Sequence, residues 1–310
     1  MQNKKINPYL LLFFAVLAVS TAAIIIRFAL MDASPIVVAT YRLALSALIA
    51  WIMVFIRRKD LHFTRSWKNY LLIFLAGLFL AVHFGSWITS LGKTSVSSSV
   101  VLATTTPLWV SLLTPIFLKE KITKRFGFGL AIAFIGVIII SLNEQCALGQ
   151  GGLVCKQGFS FIGKGNEGLF LAMFGAWMMA AYLIIGRKLS SQMDTVSYTS
   201  GVYTVAALLL VGYSLLKGEQ LFGYAPMTYG LFIALAVVPQ TLGHSILNHS
   251  MKFLSAAIVS IAILGEPIGS TVLAMILLNE YPTTLQVIGG LFILGGIALA
   301  LFSPKPANVA

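Results

Sequence analysis

The sequence predicts an all-α membrane protein with ten transmembrane helices in two inverted five-helix repeats. Three observations lead there. Of the 310 residues, 58% are hydrophobic and only 10% charged, with a mean hydropathy of +0.93. A soluble domain carries about 25% charged residues. Charge-free runs recur, for example at 69–92, 94–118 and 195–216, each close to the ~20 apolar residues that a helix needs to cross a bilayer. Finally, the second half repeats features of the first at a constant offset of 160 positions.

Hydropathy places the spans, in order, at about 9–30, 34–56, 70–91, 94–118, 124–143, 167–187, 195–216, 227–248, 253–278 and 283–303. The net charge of +12 would suit a nucleic-acid partner, but its distribution argues against one. With the N-terminus in the cytoplasm, fifteen of the 21 Lys and Arg fall on the inner side, among them Lys4, Arg57, Lys59, Lys121 and Lys252. Four fall outside (Lys93, Lys156, Lys164 and Lys217), and Arg27 and Arg42 lie within spans. Cytoplasmic loops of membrane proteins carry this excess of positive charge. The expectation is a multi-pass protein of the cell (inner) membrane with both termini cytoplasmic.

The opening segment has the two lysines and apolar stretch of a signal peptide. The stretch is long, it lacks a convincing small-residue cleavage site, and it has a counterpart in the repeat. Retention is therefore expected. Cys146 and Cys155 share the longest outer loop, about 144–166. The loop is rich in Gly, Lys and Gln and reads as mobile. A disulfide and two free thiols are both open. No metal-ligand spacing and no cofactor motif are present.

The repeat needs no gap. Phe14 aligns with Phe174, Arg27 with Arg187, Pro107 with Pro267, Gly129 with Gly289 and Gly136 with Gly296. LKEKIT (118–123) aligns with LNEYPT (278–283). Five spans per half is an odd number, so the second half is inverted. The Glu120 loop then faces inward and the Glu280 loop outward. The expected organisation is a first repeat at 9–143, an outer loop at 144–166 and a second repeat at 167–303. Inverted repeats are a transporter architecture, and interrupted helices at matching positions mark the substrate region near the bilayer midplane. Pro107 and Pro267 lie about 13 and 14 residues into spans 4 and 9, roughly 20 Å deep in a ~30 Å core. Each removes a backbone hydrogen bond and frees a carbonyl. A packing kink is the plainer explanation, and the matched positions favour a functional break.

These features resemble the drug/metabolite transporter superfamily, in particular its EamA-like ten-span members. The resemblance covers about 9–303. It is carried by YRLALSALI (41–49) and by the Pro-centred helix, LxE loop and Gly-bearing helix that occur at both 86–141 and 246–301. The first span reads AVSTAAIII and departs from the family's frequent Trp-Gly start. The resemblance implies export of small metabolites such as amino acids, by alternating access through a central cavity. No Walker A motif is present, which argues against ATP drive within this chain. The alternatives are a membrane-embedded enzyme using His83, His244 and Glu266, and a channel or scramblase. No H-E-x-x-H or nucleophile-elbow motif supports the enzyme.

Candidate substrate-binding residues follow from polarity inside apolar spans. His83 and Trp87 share a face of span 3 at i, i+4. Gln240, His244 and Asn248 form a stripe on span 8. Such stripes face a bundle interior or a wet cavity rather than lipid. Ordinary interhelical hydrogen bonding would account for any one of them, at roughly 0.6 kcal/mol per contact. Thr105 and Thr106, before Pro107, either repair the helix break or touch substrate. Trp177 lies deeper than an interfacial belt. Arg42, about 12 Å from the outer end of span 2, either snorkels outward, pairs with an acid or carbonyls, or attracts an anionic group. Arg27 reads as an interface anchor, and Glu120 and Glu280 as capping residues. The glycines of spans 5 and 10 let helices approach closely.

Glu266 stands directly before Pro267, in a stretch without Lys or Arg from 253 to 304. A charge at mid-bilayer costs about 3 kcal/mol or more. Glu266 therefore either bonds polar groups at the break, or gains and loses a proton or binds a substrate amine as the cavity alternates. Its partner in the repeat is Thr106, which cannot ionise. Small metabolites, the bilayer and a coupling proton are the partners this reading implies, with no nucleic acid and no metal.

Overall fold

The computed structural model describes residues 8–56, 66–118, 124–149, 152–155, 166–189, 192–250, 263 and 265–301. The helices are α1 (Pro8–Ser20), α2 (Ala22–Ala29), α3 (Pro35–Ile56), α4 (Trp67–Leu91), α5 (Val96–Ala103), α6 (Thr106–Leu118), α7 (Lys124–Gln145), α8 (Glu167–Leu189), α9 (Thr195–Leu216), α10 (Pro226–Leu235), a π-helical segment (Ala236–His244), α11 (Ser245–Ser250), α12 (Gly265–Leu277) and α13 (Thr284–Leu301). Among the described residues, six helical stretches are long and apolar enough to cross a membrane, and four shorter apolar helices accompany them. Most outer ends of the described helices fall within three residues of the expected span ends, while α12 is described only from Gly265, inside the ninth expected span. The Glu120 loop and residues 253–262 of the ninth expected span lie outside the described residues.

Helix starts follow local chemistry. Pro226 opens α10, where its missing N–H costs nothing. Asp194 caps α9, its Oδ1 accepting the Val196 N–H at 3.0 Å. The Ser95 hydroxyl caps α5 by accepting the Ser98 N–H at 3.1 Å. Large apolar side chains such as Phe13, Phe55, Leu208 and Ile276 are exposed, as a lipid-facing surface requires.

In sequence order the outer-loop expectation meets one difference. Cys146–Gly149 (β1) and Gly152–Cys155 (β2) form an antiparallel hairpin, with Cys146 and Cys155 as register partners. Valine and leucine favour strands, and glycines bracket the connection.

Helices pair mainly between the two halves of the chain: α7 with α13, α4 with α8, α3 with α9, and α1 with the π-helical segment, α11 and α12. The α7–α13 contact is made by glycines. A Cβ on Gly136 would lie 2.5 Å from the Gly289 carbonyl oxygen, and one on Gly296 2.5 Å from the Gly129 oxygen. As 136 meets 289 and 129 meets 296, the two helices run antiparallel. Of the other glycines on these helices, Gly290 lies near Val101, while Gly127 and Gly295 face open space.

One end of the bundle is tied by charges. Arg27 Nη2 pairs with Glu280 Oε2 at 3.1 Å, and Arg27 Nη1 donates to the Leu91 carbonyl at 2.7 Å. Glu280 Oε1 accepts the Val96 N–H at 2.6 Å. Arg27 is thus a specific cross-link rather than only an interface anchor. Gln286 donates to the Ser95 and Ser98 hydroxyls at 2.7 and 3.0 Å. Lys93 pairs with Glu167 at 2.5 Å. A surface cavity of about 800 Å³ lies at this end, lined by residues that include Arg27, Lys93 and Glu280.

Candidate functional site

Apolar helices cannot place a charged side chain against lipid without cost, so buried polar groups mark the interior. Arg42 is the one with the largest side chain. It is fully buried on α3 and is the bulkiest of the completely buried side chains. Its Nε donates to Gln240 Oε1 at 2.9 Å. Its guanidinium lies 4.1 Å from the centroid of the Phe84 ring and 5.8 Å from that of Trp87, a cation–π arrangement. Its terminal nitrogens, Nη1 and Nη2, have no hydrogen-bond partner among the described residues, and neither has Trp87 Nε1. Arg42 therefore does not snorkel. Glu266, His83, His244 and Tyr203 lie within its electrostatic reach.

The π-helical segment explains how Gln240 arrives there. Pro239 sits inside it and cannot donate to the helical ladder. The Ser245 N–H closes the wider turn on the Gln240 carbonyl, an i→i−5 bond, and the Thr241 and Ser245 hydroxyls donate to the Ala236 and Gln240 carbonyls at 2.7 and 3.4 Å. Such bulges recur at functional sites. The expected stripe of Gln240, His244 and Asn248 fans out across three helices. Gln240 meets Arg42 on α3. The His244 ring meets Phe84 of α4 edge-on, with centroids 5.9 Å apart. Asn248 donates to the Tyr182 hydroxyl of α8 at 3.1 Å.

His83 Nδ1 donates to the Gly175 carbonyl at 2.9 Å. Its ring stacks on Trp87 at 6.0 Å and meets Phe84 at 4.7 Å, so it braces α4 against α8. The three threonines before Pro107 each donate to the carbonyl three residues earlier: Thr104 to Val101 at 2.9 Å, Thr105 to Leu102 at 2.7 Å and Thr106 to Ala103 at 2.8 Å. This is the helix-repair arrangement between α5 and α6. Thr105 also accepts from Trp109 Nε1 at 3.0 Å, and Thr106 reaches the Ala176 carbonyl at 3.4 Å. Trp177 packs on Trp109, Phe170 and Phe174, apart from the Arg42 group. Glu266 and Pro267 lie in the first turn of α12, as Pro107 lies in that of α6. The Ser97 hydroxyl of α5 and the Thr271 hydroxyl of α12 meet at 3.2 Å.

The structure therefore draws His83, Trp87, Gln240, His244 and Glu266 around Arg42, and leaves Thr105, Thr106, Trp177 and Asn248 to neighbouring contacts. Phe84 and Tyr203 also belong to this group, although sequence reasoning did not single them out. For Phe84 a signal existed, because it aligns with His244 in the 160-residue register.

The sequence model of the EamA-like transporter family matches residues 6–142 and again 166–302. The chain belongs to the EamA-like transporter family. Both ends of the two matches differ by 160 positions, the offset of the repeat. Membership makes the chain a membrane transporter. An uncharacterized transporter of Archaeoglobus fulgidus is 25% identical over 267 residues, covering 86% of this chain and 87% of its own length. The uncharacterized transporter YdfC of Bacillus subtilis is 21% identical, covering 76% of this chain and 72% of its own. A solved crystal structure superposes with a TM-score of 0.67 at 18% identity, covering 94% of this chain and 96% of its own. At that identity the likeness concerns the fold. The family's transporters thus frame the Arg42 group as a buried polar site inside a lipid-embedded bundle.

Proposed function

We propose that this EamA-like protein is a secondary transporter that exports small, amino-acid-like organic metabolites by alternating access. It has ten spans in two inverted repeats, 9–143 and 167–303, joined by the outer loop 144–166, in the inner membrane with both termini cytoplasmic. The observation that carries the reading is the Arg42 group itself. A charged cluster is buried between helices of the two matched segments, where lipid-facing chains avoid charge.

The antiparallel crossing of α7 and α13 supports inversion. So does the pairing scheme. Exchanging each span for its counterpart turns the α4–α8 contact into that of α1 with the π-helical segment, and the α6–α8 contact into that of α1 with α12. A substrate reaching the Arg42 group from either side would meet His83, Trp87, Gln240, His244 and Glu266. Thr105, Thr106, Trp177 and Asn248 would line its approach, and the breaks at Pro107 and Pro267 would supply the moving joints. Glu266, the one carboxylate of the cluster, is the candidate for proton coupling.

Counterflow in proteoliposomes, with a panel of amino acids and related metabolites and with or without a pH gradient, tests the function. Saturable exchange supports a carrier. Steep non-saturating flux would replace it with a channel. Single cysteines test the topology. Lys59→Cys and Lys121→Cys should react with impermeant reagents only from the cytoplasm, and Lys217→Cys only from outside. Labelling of all three from one side would remove the inverted arrangement.

A further inference from the structure

Three buried donors in the Arg42 group stand without a partner among the described residues. With Nε committed to Gln240, the guanidinium presents its Nη1–Nη2 edge, and both nitrogens are buried without a partner among the described residues. Trp87, whose ring lies 5.8 Å from the guanidinium carbon, has its buried Nε1–H in the same condition. These are donors, and neither a guanidinium nor an indole N–H can accept. A buried cation with unpaired donors is strongly disfavoured unless something else completes it.

What completes it must be acceptor-rich and must match a planar fork. A carboxylate has both properties, with two oxygens that take parallel N–H bonds from one guanidinium. The charges set the valence. Among the described residues, Arg42 is the cation of this group, and Glu266, His83, His244 and Tyr203 are the titratable side chains within its electrostatic reach. A single guanidinium fork matches one carboxylate better than a dianion such as a phosphate monoester. A monoanion or a zwitterion fits. The Phe84 ring, with its centroid 4.1 Å from the guanidinium carbon, supports the cation and offers it no hydrogen-bond acceptor oxygen.

We propose that Arg42, oriented by Gln240 and assisted by Trp87, is the binding site for the carboxylate of the transported molecule, so that the substrates are small monocarboxylates or zwitterions. This inference rests on the transport reading for the route by which the ligand arrives, though not for its binding. Gln240 is a positioning residue. Glu266 stands where it would face the cationic end of a zwitterion.

The full-length protein, purified in detergent, is titrated with common amino acids, their methyl esters, the corresponding decarboxylated amines and short monocarboxylates. Binding is read by thermal stabilisation. The carboxylate-bearing members should bind at least about tenfold more tightly than their esters and amines, because an unpaired donor site rejects ligands lacking the acceptor. Arg42→Lys keeps the charge and loses the fork, and should weaken carboxylate binding about tenfold or more. Trp87→Phe keeps the ring and removes one donor, and should weaken it by only a few-fold. Equal binding of esters or amines, no stabilisation by any carboxylate, or unchanged carboxylate affinity in Arg42→Lys would overturn the site. The wild-type comparison decides the matter even if Arg42→Lys fails to fold. Counterflow separates the two readings. Saturable exchange of amines or esters without carboxylates keeps the transporter and removes this site. Carboxylate binding that depends on Arg42, without any exchange, keeps the site and removes the transporter.

Discussion

Phe84 and His244 stand 160 positions apart, at equivalent places in the two family matches, and their rings touch edge to face with centroids 5.9 Å apart. Residues that are counterparts and also neighbours lie where the two halves face one another. Arg42 rests on this pair through Phe84 at 4.1 Å. The buried charge is thus placed at the junction of the halves, where a relative movement changes its surroundings most.

Phe84 is completely buried and supports the guanidinium from below. Phe84→Ala should cost about 3 kcal/mol or more of folding stability through the cavity it leaves. Phe84→Tyr, which keeps the ring, should cost less and leave more transport activity. Thermal unfolding in detergent, beside counterflow rates, reads both effects.

The Arg27–Glu280 pair closes one end. Both side chains are partly exposed, 33% and 20%, and such pairs contribute about 1 kcal/mol or less. Glu280→Gln should therefore barely change the unfolding temperature. It should nonetheless loosen the N-terminus of α5, which Glu280 holds through the Val96 N–H. A cysteine at the buried Ser97 should then be labelled several-fold faster than in the parent. Unchanged labelling would reduce the pair to surface decoration.

Glycines on α7 and α13 divide into two kinds. Gly136→Ala and Gly296→Ala each push a Cβ to 2.5 Å from a backbone oxygen on the opposite helix and should destabilise sharply. Gly127→Ala and Gly295→Ala face open space and should be neutral or stabilising by up to about 1 kcal/mol, since alanine is the better helix former. A thermal-shift series of the four variants checks the contrast.

Glu266→Gln keeps the shape of the side chain while abolishing titration. The variant should fold and should transport without response to a pH gradient, or with sharply lower affinity for amino-bearing substrates. Arg42, His83, His244 and Tyr203 remain in place, so a preserved pH response would assign it to one of the histidines instead.

Asp32, in the loop between α2 and α3, accepts the Thr228 hydroxyl at 2.6 Å and the Ala225 N–H at 3.2 Å. These bonds hold its carboxyl below the usual value of 3.8, the Thr228 bond contributing most. A carboxyl depressed in the folded state stabilises above its unfolded pKa, and that contribution fades as pH falls through the folded value. The stability difference between wild type and Asp32→Asn should therefore be constant at neutral pH and shrink only below about pH 4.

Apolar spans and the 160-residue repeat were legible in the sequence, because hydropathy and register are properties of a single dimension. The buried stripe on span 8 was legible too, but not where each residue would turn. The helix there widens into a π turn around Pro239, and this aims Gln240 at Arg42. What only the tertiary structure decided is which polar groups meet. Arg42 finds Gln240 198 positions away, and Arg27 finds Glu280 253 positions away. Helix packing between the halves makes these contacts, and no local pattern specifies them. A polar residue in an apolar span announces that it needs a partner. Its depth, its neighbours and the donors it leaves unpaired follow only from how the spans pack together.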